Sequence, residues 1–303
     1  MSQESTGWKK MTKGRKPLKK KILHKLFPLI IILFGIICLG YPFLSNYLYD
    51  HNAQSEVKAY KEKAEKTDTK TIEEMLKKAK EYNKALIHSA VTLTDPFDEK
   101  EAKFSKTDYY NLLKVDNTGY MCSLEIPCIG ETLPVYHGTS AEVLEKGVGH
   151  MEGSSLPVGG KSTHAVLTGH TGINKAKLFT DLTEVKKGDQ FYITVLGKIL
   201  AYKVDAINVV LPSDTSKLSI VDNKDYVTLV TCTPYGENTH RLLVRGKRVK
   251  YSPETYAKEK AKRKIGKSQW MGAYKKAMII GTAASAVILL VIILFRKKFK
   301  KRM

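Results

Sequence analysis

Two uninterrupted apolar runs, residues 26–44 and 277–295, stand near the two ends of the chain, each 19 residues long and without a charge. That is about the 20 residues a helix needs to cross a hydrocarbon core. Between them the pattern changes twice. Residues 53–90 are rich in charge, and Ile72, Met75, Leu76, Ala79, Tyr82, Leu86 and Ile87 recur at three- and four-residue steps. That spacing draws one apolar stripe and predicts two helices ahead of the main body. Thr71 with Glu74 three residues on fits a capping box. The polar segment 92–108 breaks the period at Pro96 and reads as a loop. From about residue 120, short β-rich runs alternate with Gly, Pro, Asn and Asp turns: 120–126, 132–136, 163–168, 190–196, 199–210, 226–232 and 241–248. Seven or eight strands this short predict a sandwich or a closed barrel. Short helical pieces are expected at 140–146 and 175–182, and a partly helical connector at 251–276.

Charge sharpens the picture. The chain of 303 residues carries 51 Lys+Arg against 30 Asp+Glu, a net +21. Residues 45–257 are balanced, and the excess lies in 1–25, 258–276 and 296–303. A nucleic-acid-binding domain needs its basic groups on the folded surface, so that class is set aside. The expected order is a basic cytoplasmic segment (1–25), a retained signal anchor (26–44), N-terminal helices with a loop (45–108), a β domain (109–250), a basic juxtamembrane connector (251–276), a second span (277–295) and a basic cytoplasmic tail (296–303). No A-x-A-like cleavage site follows the first run. The basic flank before it puts the N-terminus inside and the β domain outside. The basic stretch 258–276 runs against that rule and reads as a segment drawn to anionic lipid or wall polymer.

Four cysteines are few for an exported chain. Six residues of extended strand separate Cys122 from Cys128 by roughly 20 Å, far more than a disulfide allows, so both read as buried thiols. Cys232 differs. It ends the run 226–232 and is followed by the turn sequence Thr233-Pro234-Tyr235-Gly236. Arg241 opens the next strand, and a hairpin sets the two side by side. His170 ends another strand, just after Leu167-Thr168-Gly169. A thiol is mostly protonated near neutrality and needs a cation or base beside it. Histidine protonates a leaving amine, and arginine's fixed donors suit an oxyanion. An acyl-transfer site uses all three. The same residues also suit a buried structural cysteine and histidine, and His137, His150, His164 and His240 compete for the role. No CxxC or HExxH spacing points to a metal, and no cofactor is implied.

The block Thr228-Leu229-Val230-Thr231-Cys232, with TPYGENTHRLLVRG after it, resembles the sortase signature TLxTC and its downstream arginine. Leu167-Thr168-Gly169-His170 resembles the family's histidine motif, and EIPCIGETLPVYHGTS its early strands. The resemblance covers about residues 109–250 and implies a mainly β fold, a closed sortase-type barrel of about eight strands. Two flanking spans and Asp95-Pro96-Phe97 resemble class C, the pilus-assembling sortases. In that class such a loop is a lid, so by position Asp95 faces Arg241 and Phe97 lies on Cys232. Ile173-Asn174-Lys175 departs from the proline common there. The resemblance implies a cysteine transpeptidase, with Cys232 attacking the Thr–Gly bond of an LPXTG-type signal on a secreted pilin. His170 would protonate the leaving amine and Arg241 hold the substrate or oxyanion. A pilin lysine would take the acyl group. The alternatives are a housekeeping sortase that anchors proteins to the wall, a membrane-tethered cysteine protease, and a non-enzymatic scaffold.

Overall fold

The computed structural model describes residues 18–87, 89, 93–98, 108–172 and 176–261, with 272, 274–285, 287 and 294 beyond them. Residues 1–44 and 45–303 form two compact units. The first holds the start of helix α1 (Leu18–Lys66), where Leu33, Phe34 and Ile37 are exposed. Among the described residues no helix is long and apolar enough to cross a membrane. The expectation of two spanning helices therefore has no support from the structure. Parts of both apolar runs lie outside the described residues: the side chains of 26–32 and 36 in one, and 286, 288–293 and 295 in the other. The basic segment up to residue 17, the stretch 262–271 and Ile173-Asn174-Lys175 also lie outside them.

In the second unit, α1 ends at Lys66 and α2 (Thr69–Ile87) follows at once. The helix start corrects the expected capping box. Asp68 is the cap: its carboxylate accepts from the Thr71 N–H at 2.9 Å and from the Thr71 hydroxyl at 2.6 Å. A carboxylate takes both donors and adds a negative charge at the helix N-terminus, which a threonine does not. The α2 stripe buries Leu76 and Ala79, with Ile72, Met75 and Tyr82 packed beside them, while Ile87 is exposed. Buried Asn83 belongs to the same face. Its amide donates to the Leu156 carbonyl at 3.0 Å and its oxygen accepts from the Leu156 N–H at 2.7 Å. This tethers the loop at Leu156 to the helix as a strand partner would.

Eight strands close into a barrel: β1 (Tyr120–Ile126), β2 (Glu131–His137), β3 (Val148–His150), β4 (Thr163–Thr168), β5 (Gln190–Val195), β6 (Lys198–Val210), β7 (Asp225–Thr233) and β8 (His240–Val249). Their order around the barrel is β1-β2-β3-β4-β7-β8-β6-β5, so no edge is left unpaired. The β2·β3 and β4·β7 pairs are parallel and the others antiparallel. Helix α3 (Ala141–Lys146) makes the β2–β3 crossover. The three residues of β3 are too few to show a sequence pattern, and that strand was not expected. The helix expected at 175–182 is a 3-10 turn at Thr180–Glu184 instead. Leu178 sits at φ 44°, which no α-helix accommodates, and the Phe179 N–H is taken by the His170 carbonyl.

Two apolar clusters follow from strand parity. Inward residues such as Leu124, Val135, Leu167, Phe191, Tyr202, Leu229 and Val244 fill the barrel. On the outer face Val166, Val230 and Leu243 join Met151, Val210 and Leu218, and Leu93 and Phe97 pack on them. Strand β4 is buried at all six positions. Its parallel partner β7 is buried at every position but the first and last, so both faces of this pair are covered. Cys122 and Cys128 are buried and not joined in a disulfide.

Candidate active site

Strand register assembles the three chemical residues at one end of this outer face. Cys232 is the direct cross-strand partner of Arg241 in the β7·β8 hairpin. In the parallel β4·β7 pair, Thr168 is matched with Val230. Cys232 lies two residues further on in β7, and His170 two residues further on, just past the end of β4, where the Gly169 N–H still bonds the Val230 carbonyl. The Thr231 hydroxyl donates to the Gly169 carbonyl at 2.7 Å and lies 2.7 Å from the Thr171 hydroxyl. With its one proton given to Gly169, Thr231 must accept from Thr171. Residues on both sides of His170 are thus bonded to the residue before Cys232.

Two glycines let aromatic rings press on the His170 loop. A Cβ on Gly169 would stand 2.8 Å from the Phe179 ring, and one on Gly172 3.0 Å from the Tyr235 ring. Gly172 also sits at φ +77°, where other residues are strained. The sequence marked Tyr235 as a turn residue only. A glycine on each side of His170 was the available sign that something approaches there closely.

The segment 93–98 covers this end. Asp95 accepts two hydrogen bonds from Arg241, from Nε at 2.9 Å and from Nη2 at 2.6 Å, a bidentate fork. Arg241 Nη1 also donates to the carbonyls of Asn238 and His240. Pro96 is buried. The Phe97 ring lies 5.6 Å from the His170 ring, and the Arg241 guanidinium lies 5.0 Å from the Phe97 centroid. Phe97 therefore meets His170 and Arg241 and packs on the outer apolar cluster. A place on Cys232 itself stays an expectation. Cys232 is 9% exposed.

Electrostatics here favour neutral partners. Burial pushes the Cys232 thiol up, Arg241 pulls it down, and Asp95 pushes it further up. Burial holds the His170 imidazole below its ordinary value, with Glu145 opposing. With the segment in place, burial favours the protonated thiol and the neutral imidazole.

The other histidines are elsewhere or engaged. His164 is buried, its ring bonded to the Ser219 carbonyl at 2.8 Å and the Thr228 hydroxyl at 2.7 Å, and burial lowers its pKa to about 4. His150 is enclosed by Tyr109, Ser154 and Ser155. His137 meets the carbonyls of Gly119 and Leu112. His240 is bonded to Thr239. Among the described residues no three His, Cys, Asp or Glu side chains are grouped to hold a metal ion.

A closed β-barrel with a thiol at a strand end, paired across a hairpin with an arginine, defines a candidate acyl-transfer protein. Similarity carries this further. A family model described as the sortase domain matches residues 124–249. Sortase D of Bacillus subtilis is 30% identical over 231 residues, covering 75% of this chain and all of its own length. Among solved structures, sortase C1 of Streptococcus agalactiae is 42% identical at a TM-score of 0.61, covering 67% of this chain and 99% of that one. Streptococcus pneumoniae sortase C is 43% identical at a TM-score of 0.61, covering 66% and 98%. The chain belongs to the sortase family of cysteine transpeptidases, and these structural neighbours are its class C members.

Proposed function

We propose that this chain is a pilin-polymerising sortase whose site is closed by residues 95–97. Cys232 is the nucleophile. Its sulfur bonds to the threonine carbonyl carbon of an LPXTG-type signal, Arg241 stabilises the oxyanion, and the C–N bond to glycine breaks. His170 delivers to the departing amine the proton it took from the thiol. A lysine amine of another pilin then attacks the thioester. The C–S bond breaks, an isopeptide bond forms, and the amine's proton returns through His170 to the sulfur. The observation that carries this reading is the bidentate Asp95–Arg241 pair with Phe97 seated between His170 and Arg241. It supports a resting state in which the oxyanion-binding group is occupied by an internal carboxylate. Asp95, Pro96 and Phe97 are then a lid, which substrate displaces by shifting a closed–open equilibrium. The same reading puts the catalytic domain on the extracellular face, with the apolar runs 26–44 and 277–295 as its membrane tether, a placement that rests on the sequence. The test is the product formed from an LPXTG-bearing pilin by the full chain. An isopeptide-linked ladder supports the proposal. Release of a free carboxylate makes the chain a protease, and transfer only to a wall-precursor amine makes it a housekeeping sortase.

A further inference from the structure

Among the described residues, the buried threonine hydroxyls of β4, β7 and the turn at Thr180 have hydrogen-bond partners, with one exception. Thr163 donates to the Gly160 carbonyl, Thr180 accepts from the Gly172 N–H, Thr228 meets His164, and Thr171 and Thr231 bond as described. Thr168 is completely buried, and its Oγ1 has no hydrogen-bond partner among the described residues. Burying a hydroxyl without a partner is unfavourable, and such groups are rare in folded proteins.

Its position says what the hydroxyl is for. Thr168 shares strand parity with Val166 and is matched in register with Val230, so it belongs to the outer face where Leu93 and Phe97 pack. Across β3 its neighbour is Gly149, which has no side chain to meet it. The side chains packed on this face, Leu93 and Phe97, are apolar and offer no partner. We infer that the Thr168 hydroxyl donates a hydrogen bond to the main chain of the sorting peptide, becoming satisfied only when residues 93–98 leave the groove.

The atom it would meet follows from strand geometry and rests on the function proposed above. Thr168 lies two residues behind the level of His170 and Cys232, about 7 Å along the strand. An extended peptide with its threonine carbonyl at Cys232 places there the residue two positions before that threonine. The floor on this side is Val166, Val230 and Leu243, which suits the apolar leucine and proline ahead of the scissile bond. In an LPXTG signal the residue at that level is the proline. Proline has a carbonyl and no N–H, so the protein must supply the donor, which a hydroxyl does and a valine does not.

The experiment compares Thr168→Val, nearly the same shape, with Thr168→Ser, which keeps the hydroxyl. Both are placed in the full chain carrying Asp95→Ala and Phe97→Ala, so that lid closure does not enter the affinity. With an LPXTG peptide and detection of the thioacyl-enzyme, Thr168→Val raises KM about tenfold, and Thr168→Ser stays near the parent. In the chain with its lid intact, Thr168→Val slows labelling of Cys232 by a small thiol reagent several-fold, because the closed state no longer holds an unpaired hydroxyl. A KM unchanged by Thr168→Val, or raised equally by Thr168→Ser, overturns the inference while leaving the enzyme's function standing. A parent chain that does not take the peptide at all overturns the functional reading and this inference with it.

Discussion

The outer face of the β4–β7–β8 sheet carries nearly the same set of groups twice. At the lower end His164 is matched with Tyr226 on β7, and Arg245 on β8 makes a bidentate pair with Asp205 at 3.0 Å while lying 4.2 Å from the Tyr226 centroid. At the upper end His170 stands level with Cys232, and Arg241 makes a bidentate pair with Asp95 while lying 5.0 Å from the Phe97 centroid. The difference is where the acid and the aromatic come from. Asp205 sits on β6, where the pairing with β8 slips between Val204 and Ala206, and Tyr226 is part of β7. Asp95 and Phe97 belong to a segment outside the barrel's hydrogen-bond ladder. The same ion pair and ring contact act as a permanent clamp when both partners are held by the sheet. On the proposed function they act as a releasable cover when the partners come from a loop. Reactivity is, on that same proposed function, kept at the end that can be uncovered.

The largest contrast lies between the two histidines. His170→Ala should lower the rate of thioacyl-enzyme formation by about 10²–10⁴, the range for a general acid–base group, with little change in melting temperature. Cys232→Ala should remove polymer formation altogether. His164→Ala should do the reverse, costing roughly 1–3 kcal/mol of stability while the folded fraction keeps its rate. The His164 effect also depends on pH in a definite sense. The folded ring, lowered to about 4 by burial, stays neutral while the unfolded ring protonates near 6.5. Its contribution is present above about 6.5 and is lost as pH falls toward 4, so His164→Asn should remove part of the acid destabilisation. Rate loss in the His164 variant with none in the His170 variant would exchange the two assignments.

The arginines come next. Arg241→Ala should cost about 10²–10³ in acylation rate, as for one oxyanion donor, and Arg241→Lys should recover little because a point charge does not reproduce the fork. Arg245→Ala should leave the rate within a few-fold of wild type. Equal losses from the two substitutions would mean that both ends of the face act as structural clamps.

Much of this arrangement is legible in the sequence, and the gaps have identifiable causes. Seven strands could be read because β-branched and aromatic runs stop at Gly, Pro and Asn turns. Cys232, His170 and Arg241 were legible as strand-end residues with complementary chemistry. The eighth strand, Val148–His150, is recruited by its neighbours and has no pattern of its own. Residues 175–182 read as a short helical piece, and residue types say nothing of Leu178's positive φ. Thr71 resembled a cap because the motif records residue types, whereas the bonds run to Asp68. Thr168 escaped notice because an unsatisfied hydroxyl is a property of its surroundings and not of the residue.

Lid variants test the releasable end directly. Packing an aromatic contributes about 1.5–3 kcal/mol and a partly exposed ion pair about 0–1 kcal/mol. Phe97→Ala should therefore speed labelling of Cys232 by a small thiol reagent on the order of 10- to 100-fold and Asp95→Ala about fivefold or less, with the double variant faster than either. The pH profile should move too. Burial and the Asp95 charge both push the thiol up, so removing Asp95 and opening the cover should shift the labelling curve to lower pH. Identical rates and profiles in all variants would make residues 93–98 an ordinary linker.

The smallest effect separates clamp from cover by stability alone. The Asp205–Arg245 pair is about 30% exposed at both side chains, so its attraction is screened and contributes about 1 kcal/mol at most. Its loss nonetheless acts on two strands of the barrel, and the guanidinium also gives up its seat on Tyr226. Asp205→Ala should lower the melting temperature by a few degrees. The Asp95–Arg241 pair is shorter and better buried, with side chains 14% and 12% exposed, and by contact geometry alone it is the stronger of the two. Asp95→Ala should still leave the melting temperature almost unchanged, because the segment opens locally without unfolding the barrel. Thermal melts of the two variants decide the matter. If Asp95→Ala costs as much as Asp205→Ala or more, residues 93–98 melt with the barrel as one cooperative unit, and a substrate-displaced lid is the wrong description of them.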